Sequence, residues 1–373
     1  MSQPMDVTIV GAGAAGIGMG FMLKAIGVKR FAIIEQGCVG DSFRRWPKET
    51  RFITPSFYST PFGLPDLNAI TPASSPAISC AMEHPTGDRY ADYLSMIASK
   101  HELPVIDHCS VESIAPADGD GFSLKTSQGL GTSKLVIWAT GEFQFPDTTP
   151  FPGADLCIHY ANVTRWQAFA NQSVCVIGGY ESGVDAAVNL ANQGCPVRLL
   201  VRRPTLGDDA SQDPSVCLSP YSIERLNLAQ RNGRLTIEYR ADIVKVEQRS
   251  GWHRITARDG RTWLSVLPPI LGTGFKKGGG AKQIQELFHW NDQGYPVLTE
   301  SDESCRSPGL FLVGPQVRQA HAIFCFVYKF RQRFPLVTAA IATKLGLPMP
   351  SMDDPSWLMI DEASGCCDGV CDC

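Results

Sequence analysis

Val7-Thr-Ile-Val10-Gly11-Ala-Gly13-Ala14-Ala15-Gly16, a helical stretch to Ala25, then Gly27 and Phe31-Ala-Ile-Ile34-Glu35-Gln36, is the stretch on which the fold turns. A short apolar run ends in glycine. A glycine-rich turn opens a helix, and a second apolar run ends in an acid. Each position has a physical task. Gly11 makes the tight turn, Gly13 lets the backbone approach a pyrophosphate, and Gly16 lets the helix pack on the strand. Ala14 and Ala15 begin the helix, whose N-terminal N–H groups face phosphate oxygens. Glu35, with Gln36 beside it, stands 19 residues beyond Gly16, where a carboxylate accepts from ribose hydroxyls.

The pattern returns at an offset of 167 residues: strand Val174–Ile177, turn Gly178-Gly179-Tyr180-Glu181-Ser182-Gly183, helix Val184–Asn192, Gly194, strand Val197–Val201. At this offset Glu35 becomes Arg202, with Arg203 next to it. A carboxylate there repels a 2′-phosphate, whereas a guanidinium pairs with one. The acid-tipped first site therefore suits FAD and the arginine-tipped second site NADPH. The bland alternative for the arginines is a solvated pair at a strand end. Gly13 becomes Tyr180, whose side chain must turn away from the pyrophosphate or move when a nucleotide binds.

Two further strands match each other. Leu135–Ala139 runs into Thr140-Gly141, and Pro269-Ile-Leu-Gly runs into Thr273-Gly274. Together these repeats predict an α/β chain of two Rossmann-like domains, with the NADPH domain inserted in a discontinuous FAD domain. The expected boundaries are 1–165 and 269–345 for FAD, 166–268 for NADPH, and 346–373 for a linker and tail. The 373-residue length suits two domains. A net charge of −4 gives no footprint for nucleic acid. With no apolar run of membrane-spanning length and no signal-peptide pattern after Met1, a cytoplasmic protein without membrane attachment is expected.

These motifs resemble the thioredoxin-reductase-like and flavin-monooxygenase superfamily over about residues 5–345. Within it the chain is most similar to bacillithiol-disulfide-reductase-type proteins. Gly40-Asp-Ser42-Phe-Arg-Arg45-Trp46-Pro47 with Phe52–Ser56 resembles the segment under the flavin in that family. Pro152-Gly153-Ala-Asp-Leu156 with His159-Tyr160, and His321–Phe324 with Lys329–Arg331, extend the likeness. The resemblance implies flavin-flanking roles for Ser42, Arg45 and Trp46, an adenine contact at Val111 in a strand Ser110–Ile114, and contacts at Ala139, Gly141, Gly274 and Gly314. It also places His321 near the flavin, while a satisfied structural histidine stands as an equal reading.

The departures are informative. The family's late Gly-Asp is Gly314-Pro315 here, which passes the flavin contact to backbone or to Gln316. The bacillithiol-type cysteine of the first glycine motif is Ala15. No Cys-x-x-Cys occurs in residues 166–268, and the monooxygenase Phe-x-Gly-x-x-x-His is not matched by Phe151-x-Gly153 and His159.

The chain nevertheless holds 13 cysteines, of which Cys366, Cys367, Cys371 and Cys373 crowd the last eight residues. Three uses compete with an incidental tail: a soft-metal site for Cu(I), Zn(II) or Hg(II), a thiol arm carrying electrons from the flavin, and a prenylation signal, which the rest of the chain argues against. The tail cysteines are therefore the candidate catalytic or metal-ligating residues. The expected activity is an NADPH- and FAD-dependent reductase of a low-molecular-weight disulfide or a thiol-bound metal. A flavin monooxygenase and a redox-linked metal-binding protein are the alternatives, and a homodimer stays open. Pro55–Pro76 is expected to be a long lid-like loop and Lys276–Gly280 a solvated connection.

Overall fold

The computed structural model describes residues 4–58, 65–117, 119–207, 213–320 and 322–348. The opening stretch forms the strand Met5–Val10, the helix Ala14–Ala25 and the strand Phe31–Ile34. Met5–Val10 is the centre of a parallel sheet. Val7 faces Phe31 on one side and Leu135 of the strand Gly129–Trp138 on the other. Val105–Ile106 extends one edge, and Leu310–Leu312 joins Gly129–Trp138 in parallel. The strands Val111–Pro116 and Phe122–Thr126 complete the sheet as an antiparallel pair.

The period-2 alternation of each strand sorts its side chains between two layers. Val7, Ile9, Leu135 and Ile137 pack against the helices Ala14–Ala25, Gly87–Lys100 and Phe334–Leu345. Val10, Val136 and Trp138 face the other way, onto Ile284, Leu287 and Phe288.

A second, all-parallel sheet has the order Leu235–Glu238, Val197–Leu200, Val174–Ile177, Ile270–Leu271, Ile158–His159. Val174 and Val176 face the helices Glu181–Asn192 and Pro220–Arg231. Cys175 and Ile177 face the three-stranded meander Ile243–Arg249, Trp252–Ala257, Thr262–Ser265. This sheet takes in one short strand on either side of residues 166–268. The fold is thus mixed α/β with two Rossmann-like parallel sheets, each opening with its own glycine turn.

Local expectations change in four places. The second helix starts at Glu181 rather than Val184, because Tyr180 already serves as its N-cap. The adenine-side strand is Val111–Pro116. The described part of Pro55–Pro76 is a loop, as expected, but most of it is packed: Phe57 and Tyr58 are exposed, whereas Asp66, Asn68 and Ile70 are buried, and Arg331 Nη1 donates to the Ala69 carbonyl at 2.7 Å. Lys276–Gly280 is a solvated connection only at its two exposed lysines, Lys276 and Lys277. Gly278, Gly279 and Gly280 are buried, and the Gly280 carbonyl accepts from Trp138 Nε1 at 2.8 Å. A Cβ on Gly280 would lie 1.7 Å from Thr140 Oγ1, so only glycine closes that contact.

Candidate functional site

Both glycine loops open onto one cavity of about 400 Å³, lined by Gly11, Gly13, Ala14 and Ala15 from the first and by Glu181 and Ser182 from the second. The two loops are built alike. A Cβ on Gly16 would lie 1.9 Å from the Gly11 carbonyl, and one on Gly183 would lie 2.0 Å from that of Gly178, so each helix touches its own turn. Over Gly13 an added Cβ meets nothing within 4 Å, which leaves the space a pyrophosphate needs.

Glu35 is buried at the end of its strand, and its carboxylate is anchored twice. Oε2 accepts from Ala12 N and Oε1 from Gly37 N, both at 2.8 Å. Each oxygen keeps a lone pair for a ribose hydroxyl. Gln36, Val111 and Cys109 line the same end of the cavity, and Gln36 Nε2 donates to Gln144 Oε1 at 2.6 Å. Ser42, Arg45 and Trp46 line the cavity further along. Arg45 pairs with Asp41, whereas Arg44 turns outward to Asp92. Trp46 packs in an aromatic group with Phe43 and Phe52, ring centroids 5.2 and 5.1 Å away.

At the second loop Tyr180 has turned sideways. Its hydroxyl donates to the Cys217 carbonyl at 3.0 Å, and the Arg203 guanidinium lies 5.7 Å from its ring centroid. Arg202 and Arg203 are exposed at the strand end. Glu181 has a different task from the one its motif position suggests. Its carboxylate accepts from Ser219 N and Ser222 Oγ, both at 2.5 Å, tying the N-terminus of Pro220–Arg231 to the loop.

Sequence reasoning missed a buried network beneath the second loop. Asp185 Oδ2 accepts from Thr50 Oγ1 and Tyr160 Oη, both at 2.8 Å, and the two hydroxyls stand 2.7 Å apart. Asp185 Oδ1 accepts from Arg225 Nη1 at 2.8 Å. Burial and the adjacent carboxylate push the Tyr160 phenol well above its ordinary range, so it remains a donor. Removing one partner of such a buried pair costs about 3–5 kcal/mol, because a desolvated charge is left alone. The signal in the sequence was an acid and an amide, Asp185 and Asn189, one turn apart on the inner face of a helix otherwise lined with Val, Ala and Leu.

The turn after Gly129–Trp138 carries Ala139, Thr140 and Gly141, all in the cavity wall, and then Glu142. Gln316 Nε2 donates to Glu142, which leaves the buried Gln316 Oε1 and Thr140 Oγ1 without a protein partner. Gly314 brings its loop against Ala15: a Cβ there would stand 3.4 Å from that of Ala15. Gly274 is outside the wall, its carbonyl 2.9 Å from His159 Nε2. An open phosphate loop and an anchored acid fit an FAD, whose pyrophosphate would lie at Gly11–Gly16, its ribose at Glu35 and its flavin half on the Trp46 side, whereas Gln316 is outside the cavity wall. Burial pushes the Glu142 carboxyl up to about 7, against the opposing pull of Arg318 and the Gln316 hydrogen bond.

Burial also pushes the Cys80 thiol up to about 11 and Cys157 up to about 12, and it raises Cys175, Cys195 and Cys325. These are poor nucleophiles at neutral pH. Cys325 alone among the five lines the cavity. Among the described residues, no group of three or more His, Cys, Asp or Glu is placed to hold a metal ion. The tail Cys366, Cys367, Cys371, Cys373 and also His321 lie outside the described residues. Among the described residues, no helix is long and apolar enough to cross a membrane.

The model of the pyridine nucleotide-disulphide oxidoreductase family matches residues 8–314, both glycine loops included. The chain belongs to that family. Membership makes it an oxidoreductase and implies FAD and a nicotinamide nucleotide as its cofactors. Within the family, it is 26% identical to bacilliredoxin reductase Bdr of Bacillus subtilis over 309 residues, 82% of this chain and 88% of that one. It is 30% identical to a CzcO-like oxidoreductase of Geobacillus kaustophilus over 196 residues, 51% of this chain and 53% of the other, so that match spans about half of each. Two solved structures share the fold. Bacillithiol disulfide reductase Bdr of Staphylococcus aureus has a TM-score of 0.74 at 19% identity, over 92% of this chain and 99% of its own. A flavin-containing monooxygenase of Stenotrophomonas maltophilia has 0.70 at 17%, with the same coverage.

Proposed function

We propose that this oxidoreductase passes a hydride from NADPH to FAD and then reduces a low-molecular-weight disulfide. The observation that carries the reading is the single cavity shared by the two glycine loops, since hydride transfer needs both cofactors in one space. Bound there, FAD takes two electrons from the nicotinamide and returns them to the acceptor. The residues supply orientation. Gly11–Gly16 and Glu35 hold one nucleotide, and Gly178–Gly183 with Arg202 and Arg203 hold the other. The overall balance is NADPH, a proton and one disulfide giving NADP⁺ and two thiols.

The division into an FAD unit of 1–165 and 269–345 and an inserted NADPH unit of 166–268 is part of the proposal. Support for the disulfide comes from the Bdr relative, which matches over most of both chains. Molecular oxygen is the competing acceptor, favoured by the fold shared with a flavin-containing monooxygenase. Rapid mixing decides between them. The flavin is reduced with NADPH and then mixed separately with oxygen, a disulfide panel and thiophilic metals, following the flavin band. Fast reoxidation by a disulfide supports the reading. Fast reoxidation by oxygen together with an oxygenated product overturns it, and a purified protein with no flavin overturns both. Deleting residues 366–373 and repeating the series tests the tail. Unchanged rates on every acceptor exclude it from electron transfer.

A further inference from the structure

Two domains joined by a pair of crossing segments can hinge, yet several buried contacts here oppose it. Of the three consecutive residues Lys48, Glu49 and Thr50, from the first glycine loop's side, the first holds the crossing segment just before residue 166 and the other two reach the second domain. Lys48 N donates to the Thr164 carbonyl at 3.0 Å, Glu49 Oε2 accepts from Trp166 N at 3.1 Å, and Thr50 Oγ1 donates to Asp185. Beyond Asp185 the chain of contacts continues. Arg225 lies over the Tyr221 ring, 5.1 Å from its centroid, and Tyr221 stacks on His84 with centroids 3.8 Å apart and planes 12° apart. The ring of His84 in turn bonds the Phe52 carbonyl at 2.7 Å. At the far edge Lys329 Nζ meets Asp213 Oδ1 at 2.6 Å.

Asp185 is the centre of this arrangement. It is 4% exposed, it comes from the helix that the second loop opens, and it is bonded by groups from both sides of the cavity. Swinging the second domain away would strand that carboxylate away from Thr50. The cavity, meanwhile, already contains both loops.

We propose that Asp185 is a positioning residue that keeps the second glycine loop over the first throughout turnover, so that a small acceptor enters the shared cavity without domain rotation. This rests on the assignment of the two loops to FAD and NADPH. The acceptor class follows: a molecule that diffuses to the flavin, not a thiol pair delivered by a moving domain.

The test uses the flavin-loaded full chain. Asp213→Cys with Lys329→Cys is closed by a short bifunctional maleimide, with the unclosed double variant and each single variant as references. Repeated turnover with NADPH and a small disulfide is expected to survive closure. Collapse of repeated turnover, with one round of flavin reduction preserved, overturns the proposal. Asp185→Asn keeps the shape and removes the charge. It is expected to slow single-turnover flavin reduction on the order of 100-fold with little change in NADPH affinity, because misplacement acts on rate more than on binding. Adding the cross-link to Asp185→Asn is expected to restore much of that rate, which a merely structural loss would not allow. Wild-type reduction rates in Asp185→Asn overturn the role of Asp185. Should Asp185→Asn fail to fold, the closed double variant alone decides. Absence of flavin reduction by NADPH in the unmodified protein would instead sink the nucleotide assignment, so the two failures are told apart.

Discussion

The Tyr180 hydroxyl donates to the main-chain carbonyl of Cys217, 3.0 Å away, and this bond holds the bulky residue of the second glycine loop to one side. A side chain where the first loop has glycine therefore need not obstruct. It is folded sideways onto the 213–218 segment, and its ring lies beneath the Arg203 guanidinium. Tyr180→Phe removes one hydrogen bond and should lower stability by about 1 kcal/mol while leaving the ring under Arg203. Tyr180→Ala also removes the ring. The expectation is a higher KM for NADPH in Tyr180→Ala than in Tyr180→Phe, with the NADH KM unmoved in both. Steady-state kinetics with the two coenzymes checks it, and equal NADH and NADPH effects would show that Tyr180 does not act through Arg203.

Arg202 and Arg203 end the strand where the first domain has Glu35 and Gln36. Exposed guanidinium groups act on a 2′-phosphate through a screened field and through paired hydrogen bonds. Replacing both with alanine should raise the NADPH KM by roughly 10- to 100-fold, as befits the loss of a charge-assisted contact worth about 1.5–3 kcal/mol. The NADH KM should stay put, and the wild-type preference for NADPH should weaken as salt rises. Titrating both coenzymes at low and high ionic strength reads all of this.

The nucleotide loops were legible in the sequence because their chemistry is local. Gly11–Gly16 and Gly178–Gly183 are contiguous, their spacing is dictated by backbone contact, and the strands on either side are apolar enough to reveal themselves. Thr50, Tyr160, Asp185 and Arg225 are spread over 176 residues and meet only when two domains dock. Each alone is an ordinary polar residue, and nothing in periodicity links them. Gln316 shows the intermediate case. The departure at Gly314-Pro315 pointed to it as a flavin contact, but its amide nitrogen is committed to Glu142 and its side chain lies behind the cavity wall, which Pro315 lines instead. The run Lys276–Gly280 misled for a general reason. Lysine and glycine read as solvent-facing, yet the glycines here serve close approach, Gly278 to Trp290, Gly279 to the Gly141 carbonyl and Gly280 to Thr140.

Glu35 serves the protein before it serves any ligand. Without its carboxylate, Ala12 N and Gly37 N lose their acceptors at 2.8 Å, one of them in a buried setting. An unsatisfied buried donor costs about 1–3 kcal/mol. Glu35→Ala should therefore loosen the first glycine loop and release FAD together. The flavin-to-protein absorbance ratio after gel filtration is expected to drop, and added FAD should restore part of the lost thermal stability. Glu35→Asp, with a shorter reach, should fall between. Full flavin retention in Glu35→Ala would remove the acid from the site.

Glu142 makes the protein's stability depend on pH in a direction opposite to most carboxylates. Burial raises its folded pKa to about 7, above the ordinary 4.5, so the folded state binds its proton more tightly than the unfolded chain does. Below about pH 4.5 both states are protonated and Glu142 contributes no penalty. As pH rises from there to about 7 the unfolded chain ionises first, and stability declines through that window. Above about pH 7 the full cost remains, on the order of 3 kcal/mol for a shift of this size. Glu142→Gln keeps an acceptor for Gln316 Nε2 and has no charge to desolvate. It should match the wild-type apoprotein near pH 4.5 and exceed it by up to that amount at pH 8. Urea unfolding at a series of pH values measures the difference directly. A constant gap between the two proteins across the series would mean that Glu142 has the same pKa folded and unfolded, with the pull of Arg318 and Gln316 cancelling burial.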